Sequence, residues 1–404
     1  MLSRALDDSY PEEVRRHITL LTVARLCANA CYRFTAPFLA TIARGVDVSL
    51  DDIGIALAIA ELAGLLSPLT ARFVDHLHRR SAMAVGLSGV GLGTAIAASS
   101  QGLMLFAIGL VVLSQSKVMF DLGFGSWIAD HVAYDRRSRV VGLTETSWAF
   151  GLLIGVSVMG LVTAAAGWRL GYAVGAGAVV FLAVVVVRAL PDDHHTASPA
   201  SRAEGRRQPL TTIGARGWIV LIGALSLMGA TQTLLVTFGS WLEDSFDFTA
   251  AGISAVVFGL GLGELVSSIT SARRTDAWGK ERSTAIGALV MAPAALGLSL
   301  WHDNLAVGVV LLAVAVSGFE FAIVSALAIG SQLVPGSPAT GLAFMIGAGT
   351  LGRAVASVPA TRLYDRSGIG WPAAMCAAGA LVTAAAMLSS RKLASEALVV
   401  GQPR

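Results

Sequence analysis

Apolar residues run through this chain in twelve stretches of about twenty, parted by short polar loops. A helix rising about 1.5 Å per residue needs roughly 20 consecutive apolar residues to cross a bilayer core. The pattern therefore predicts span 1 over 17–42, span 2 over 52–70, span 3 over 82–100, span 4 over 103–128, span 5 over 140–164 and span 6 over 170–189. Span 7 follows over 217–242, span 8 over 249–271, span 9 over 283–301, span 10 over 304–333, span 11 over 339–362 and span 12 over 370–390. The one sizeable polar insert, 190–216, is rich in Pro, Ser, Arg and His and reads as a linker. It divides the chain into a six-span bundle (1–189) and a second six-span bundle with a tail (217–404). An all-α integral membrane protein is expected, with no room for a folded soluble domain.

Composition agrees. Of 404 residues, 55% are hydrophobic and 14% charged, with a mean hydropathy of +0.70; a soluble domain carries about 25% charged residues. The net charge of +3 matters less than its distribution. Arg4, Arg15, Arg16, Arg72, Arg79, Arg80, Arg136, Arg137 and Arg139 fall in loops of one face. The linker and its flanks add Arg188, Arg202, Arg206, Arg207 and Arg216, and later loops add Arg273, Arg274, Lys280, Arg282, Arg391, Lys392 and Arg404. The other face holds Arg44, Arg169, Arg362 and Arg366. The positive-inside bias puts both termini and the linker in the cytoplasm. It also accounts for the basic loops without a nucleic-acid partner. Cys27, Cys31 and Cys376 lie inside spans and read as small packing residues, since no further metal ligands stand nearby. The charged start of the chain and the length of span 1 do not fit a cleavable signal peptide.

The two halves repeat. The loop after span 2 reads Ala71-Arg72-Phe73-Val74-Asp75-His76-Leu77-His78-Arg79-Arg80, and the loop after span 8 reads Ala272-Arg273-Arg274-Thr275-Asp276-Ala277-Trp278-Gly279-Lys280. Both carry A-R-x-x-D followed by basic residues, at equivalent points. A six-span internal repeat marks a transporter with its site between repeats near the midplane.

These residues resemble the major facilitator superfamily, whose loop signature is G-x-L-x-D-R-x-G-R-R. Asp75, Arg79 and Arg80 match it, whereas Ala71, His76 and His78 replace the family's Gly, Arg and Gly. Tyr32-Arg33-Phe34, Pro37-Phe38, Asp135-Arg136-Arg137, Glu145-Thr146-Ser147-Trp148 and Gly352-Arg353 resemble the bacterial arabinose-type and drug efflux-permease branch. The resemblance implies the major facilitator fold: two pseudo-symmetric six-helix bundles, usually monomeric. Spans 1, 4, 7 and 10 would line the cavity, and 2, 5, 8 and 11 would form the seam. It also implies a cytoplasmic gate at Asp75, Arg79, Arg80, Asp276 and Lys280. In span 5, Gly151 and Gly155 stand where antiporters of the family carry a glycine motif, but Val156 replaces its proline.

An ionisable group deep in a span is costly and reads first as functional. Arg25, Arg33, Lys117, Arg353, Glu61, Asp121, Glu145, Glu264 and Glu320 qualify; spans 3, 6, 9 and 12 contribute none. Arg25, Asn29 and Arg33 recur at i, i+4 and i+8 as one polar stripe, and Lys117 stands one turn from Asp121. Repeat symmetry sets Lys117 against Glu320 and Glu145 against Arg353, with charges reversed. Gln232, between Thr231 and Thr233, is the polar candidate of span 7, while Trp148 and Trp241 read as core or interface residues. The alternative for the charged pairs is a structural bolt between helices.

No G-x-x-x-x-G-K-[ST] loop, H-E-x-x-H or metal-spaced cluster is present, so neither an enzyme nor ATP drive is expected, and no cofactor beyond a proton gradient. His194-His195 falls in the linker, and Gly259, Gly261 and Gly263 lie inside a span and serve packing. The expected activity is secondary-active export of a small solute from the inner membrane by alternating access. An inward proton would drive it, carried by Glu320 first and Glu145 second. Uptake or uniport of an organic anion, held by the buried bases, is the alternative; a non-transporting sensor on the same fold is a third.

Overall fold

The computed structural model describes residues 6–133, 136–191, 213–330, 332–334 and 338–400, and every regular element among them is helical. Most of the linker, with Ser201 and His194-His195, lies outside the described residues.

Span 1 is interrupted. Its first helix, α1 (Glu12–Arg33), stops four residues before Pro37, and α2 (Leu39–Val46) resumes after a turn. Proline has no N–H to offer the Arg33 carbonyl one turn back, so a continuous helix over 17–42 is broken there. Span 2 likewise consists of α3 (Leu50–Ala63), a 3₁₀ turn (Gly64–Leu66) and α4 (Ser67–Asp75), with Pro68 in the first turn of α4. A capping box starts α3: Ser49 Oγ accepts from Asp52 N–H at 3.1 Å, and Asp52 Oδ2 accepts from Ser49 N–H at 3.1 Å. Spans 3 and 4 are α5 (Arg79–Ser99) and α6 (Leu103–His131). Span 5 is α7 (Arg137–Phe150), a π turn (Gly151–Val156) and α8 (Ser157–Ala166), and span 6 is α9 (Trp168–Ala189).

In the second half, α10 (Ala215–Leu235) and α11 (Phe238–Phe246) form span 7, and α12 (Ala250–Trp278) and α13 (Lys280–Trp301) form spans 8 and 9. Spans 10 to 12 are α14 (Leu305–Gly330), α15 (Pro338–Ser367) and α16 (Gly370–Val400). Only Gly279, at φ 85°, separates α12 from α13; a residue without Cβ adopts that left-handed backbone freely. Among the described residues, ten segments, matching spans 3 to 12, are long and apolar enough to cross a membrane. In the places expected for spans 1 and 2 stand pairs of shorter helices, which are not among these ten.

The chain divides into two compact units, 1–198 with 247–262, and 199–246 with 263–404. Span 8 is thus shared, its first half grouping with the first unit. Within each unit the equivalent pair of helices comes into backbone contact. A Cβ on Gly86 of α5 would lie 2.6 Å from the Phe120 backbone nitrogen of α6. In the second unit a Cβ on Gly287 of α13 would lie 2.6 Å from the Gly318 carbonyl of α14. Lipid supplies little hydrophobic drive between helices, so contact of this kind rests on small residues that let backbones meet. Spans 3–4 and 9–10 hold equivalent places in the two halves, so the repeat seen in the loops is also a repeat of packing. On α9, Tyr172, Val179 and Val186 are fully buried while Leu170, Val174, Phe181 and Val184 are exposed. A helix apolar on both its buried and its exposed face suits a hydrocarbon surround.

Candidate functional site

The polar stripe of α1 faces two helices of its own unit. Arg25 Nε donates to Asp121 Oδ1 of α6 at 3.2 Å. Its NH1 donates to Glu145 Oε1 of α7 at 2.8 Å and to the Thr144 carbonyl at 3.3 Å. One turn on, Asn29 Nδ2 donates to Ser147 Oγ at 3.3 Å. A turn further, Arg33 NH1 donates to the Trp148 carbonyl at 3.1 Å, and its guanidinium lies 4.5 Å from the Trp148 ring centre. Three successive turns of α1 therefore read residues 144 to 148 of α7 in order. The glycines at the head of the π turn allow it: a Cβ on Gly151 would come within 2.9 Å of Asn29 Cβ.

The pairing expected from spacing on α6 is present, Lys117 Nζ to Asp121 Oδ2 at 2.5 Å. Asp121 thus bridges two cations. The relation of Glu145 is the one sequence symmetry did not indicate: its partner is Arg25, on α1 of the same unit. Side-chain exposure grades across the cluster, from 11% at Lys117 and 16% at Arg25 to 29% at Asp121 and 44% at Glu145. Glu61 of α3 joins from the side, accepting from the Tyr32 hydroxyl at 2.5 Å, and Lys117 Nζ lies 5.6 Å from the Tyr32 ring. Asn29 is fully buried, and among the described residues its Oδ1 accepts no hydrogen bond. An unmet buried acceptor costs roughly 1–3 kcal/mol, which a bound water or ligand donor would offset.

In the second unit the charges sit deeper. Glu264 of α12 and Glu320 of α14 are 1% and 3% exposed. Ser268 of α12 donates to Glu320 Oε1 at 2.5 Å. Gln232 Nε2 of α10 donates to Ser357 Oγ of α15 at 3.0 Å, and Ser357 donates to the Arg353 carbonyl at 2.9 Å. Arg353 is half-buried.

The loop residues divide. Arg79 Nε donates to Asp130 Oδ2 of α6 at 2.8 Å, and Arg80 reaches the Leu190 carbonyl beyond the end of α9 at 3.2 Å, where cations suit the exposed helix carbonyls. Both tie the first unit to itself. The side chain of Asp75, at the end of α4, lies outside the described residues. Asp276 is exposed and Lys280 half-buried. Trp241 is buried, donating from Nε1 to the His302 carbonyl at 3.2 Å, in keeping with a core role. Trp148, read as a core or interface residue, is half-buried and carries the Arg33 guanidinium over its ring. Tyr32, Ser147, Ser268 and Ser357 also belong to these networks, and sequence reading left them out: hydroxyl residues are common in membrane helices, and nothing in their spacing separates network members from packing members.

A family profile described as Major Facilitator Superfamily matches residues 21–357. YgaY, an uncharacterized transporter of Escherichia coli O157:H7, is 30% identical over 179 residues, covering 43% of this chain and 44% of YgaY. YwfA, an uncharacterized transporter of this superfamily type from Bacillus subtilis, is 23% identical over 150 residues, 37% of this chain and 36% of its own. The matched part is thus less than half the length of these relatives. Among solved structures, an inward-facing bacterial homolog of the human lysosomal transporter Spinster superposes with a TM-score of 0.69 at 12% identity, covering 92% of this chain and 93% of that one. The human organic anion transporter MFSD10 superposes with a TM-score of 0.68 at 18% identity, covering 93% and 100%. At those identities the likeness is one of fold. With the profile spanning most of the length and the repeat visible in both loops and packing, the chain belongs to the Major Facilitator Superfamily, and its apolar helices make it a multi-pass membrane protein.

Proposed function

We propose that this protein exports a small solute across the bacterial inner membrane in exchange for protons, acting as a monomer with both termini in the cytoplasm. The observation that carries the reading is the placement of carboxylates in the two units. Asp121 and Glu145 share Arg25 near the more exposed side of the first unit, and Glu320 is almost wholly buried, where it accepts from the Ser268 hydroxyl. A carboxyl group in a dry interior is stabilised by a cation or by a proton. Glu320 is the group we assign to the coupling proton, with Glu145 second, because Arg25 offers it an exchangeable partner. The basic loops support the orientation, and the efflux direction follows the motif likeness in spans 1, 5 and 11.

The test is flux in proteoliposomes under an imposed pH gradient, using a compound selected by a thermal-shift screen. Glu320→Gln should abolish gradient-driven transport, flatten its pH dependence and spare substrate exchange. Wild-type coupled flux in Glu320→Gln would remove Glu320 from the mechanism.

Uptake of an organic anion is the second reading. Arg33 and Lys117 flank the Trp148 ring at 4.5 and 5.9 Å, an arrangement of bases and aromatic surface that suits an aromatic carboxylate. The likeness to the organic anion transporter MFSD10 adds fold-level support. Gradient-independent uptake that survives Glu320→Gln and fails in Arg33→Gln would favour it.

A further inference from the structure

Beyond Glu320 a second polar feature runs along the same two helices. Glu264, Ser268, Ser271 and Thr275 recur on α12 at i, i+4, i+7 and i+11, one face of the helix. The face meets Glu320 and Ser325 of α14. Ser271 Oγ, Thr275 Oγ1 and Ser325 Oγ form a closed triangle of hydroxyls, with edges of 3.1, 2.8 and 2.9 Å. Ser271 and Ser325 are fully buried and Thr275 is 7% exposed. The Phe321 carbonyl accepts from Ser325 at 2.9 Å. From Glu320 these hydroxyls extend toward the α12 end that carries Arg273, Arg274 and Asp276, while on the other side Ser317 of α14 faces Gly263 of α12.

We propose that Ser268 and the Ser271–Thr275–Ser325 triangle are the path by which protons move between Glu320 and the α12–α13 end of the second unit. The proposal rests on the reading of Glu320 as proton carrier. A hydroxyl both donates and accepts, and its proton rotates freely. A proton leaving the Glu320 carboxyl bonds to Ser268 Oγ as that hydroxyl releases its own proton onward. Each group ends neutral and in its starting bonding state. Ser268 and Ser271 stand about 4.5 Å apart along the axis, a gap that one water bridges. From the triangle the proton passes to solvent at the α12–α13 turn, and Glu320 is left as the carboxylate that accepts from Ser268.

The elements packed against α14 are α10, α13 and α15, with α12 meeting it through Ser268. Their interior ionisable groups are Glu264 and Arg353. The rest stand toward helix ends: Arg216 on α10; Arg273, Arg274 and Asp276 on α12; Lys280, Glu281 and Arg282 on α13; Arg362, Tyr364, Asp365 and Arg366 on α15.

The experiment needs no substrate, because the proton is the probe. Purified full-length protein in lipid is subjected to a pH jump, and the carboxyl stretch lost in Glu320→Gln is followed by time-resolved infrared spectroscopy. Ser268→Ala and the double variant Ser271→Ala/Ser325→Ala should both slow the response of that band, and the double variant, whose residues do not bond the carboxyl, should leave its midpoint in place. The slowing should be roughly a hundredfold, the low end of what a positioned proton donor contributes. Ser325→Thr, which keeps a hydroxyl, should restore the rate. A wild-type rate in both alanine variants overturns the path while leaving Glu320 as carrier. Absence of any titrating band assigned to Glu320 overturns the carrier reading and the path together. Should the alanine variants fail to fold, the wild-type response in D₂O decides: severalfold slowing is expected, and none would refute a relay of hydroxyl protons.

Discussion

Removing Arg25 should cost less than a buried arginine ordinarily would, and the deficit should be shared unequally between its two partners. Arg25→Gln takes away ion pairs to Asp121 at 3.2 Å and Glu145 at 2.8 Å and one long bond to the Thr144 carbonyl. Stranding one member of a fully buried pair typically costs about 3–5 kcal/mol. Asp121 is not stranded, because Lys117 holds its second oxygen at 2.5 Å. Glu145, at 44% side-chain exposure, is screened toward the range of about 0.2–1 kcal/mol seen for exposed pairs. We therefore expect Arg25→Gln to destabilise by about 2 kcal/mol, and the coupling in the Arg25→Gln/Glu145→Gln cycle to be about 0.5–1 kcal/mol. The corresponding coupling of Arg25 with Asp121 should be larger once Lys117 has been replaced by Met. Denaturation of the purified protein in mixed micelles, with each single and double variant, measures both. Additive effects of Arg25→Gln and Glu145→Gln would show that this pair is geometric only. A loss above about 4 kcal/mol would show that Lys117 does not compensate.

Tyr32→Phe should destabilise by roughly 1 kcal/mol through loss of the bond to Glu61, readable in the same denaturation assay, because the carboxylate is deprived of a charge-assisted partner. Gly287→Val should cost at least 1–3 kcal/mol or so by overpacking, since its branches would enter the Gly318 and Ala322 backbone of α14; an unchanged unfolding midpoint would mean that α13 and α14 are not in backbone contact. Asp75→Cys, Asp276→Cys and Ser201→Cys, each in a background without other cysteines, should react with an impermeant thiol reagent only from the cytoplasmic side, and labelling from outside alone would reverse the proposed topology.

The membrane-spanning helices were legible because each is a run of apolar side chains set by one length, the thickness of the hydrocarbon. The interruption of span 1 was half legible: Pro37 is visible, but hydrophobicity runs straight through it. The π turn at 151–156 leaves no mark in hydrophobicity, since it changes one hydrogen-bond register and no side chain. Among the charges, Lys117 and Asp121 could be paired from spacing, one turn apart on one helix. Arg25 and Glu145 could not, being 120 residues apart, and pairing across that distance is decided by how α1 lies on α7. Repeat symmetry set Glu145 against Arg353, and within its own unit the structure gives Glu145 a partner that symmetry did not name, Arg25. Ser268 and Ser325 illustrate the limit: their chemistry depends on two helices meeting at a particular rotation, which composition and period do not encode.

The most direct test of the account is proton movement coupled to solute movement. Proteoliposomes carrying an internal pH dye would receive the compound that most raises the unfolding temperature in the ligand screen. The account predicts that adding it to wild-type protein moves protons across the membrane against its own flux, and that Glu320→Gln exchanges the compound without moving protons. Solute transport by wild-type protein with no accompanying proton movement would contradict the central claim.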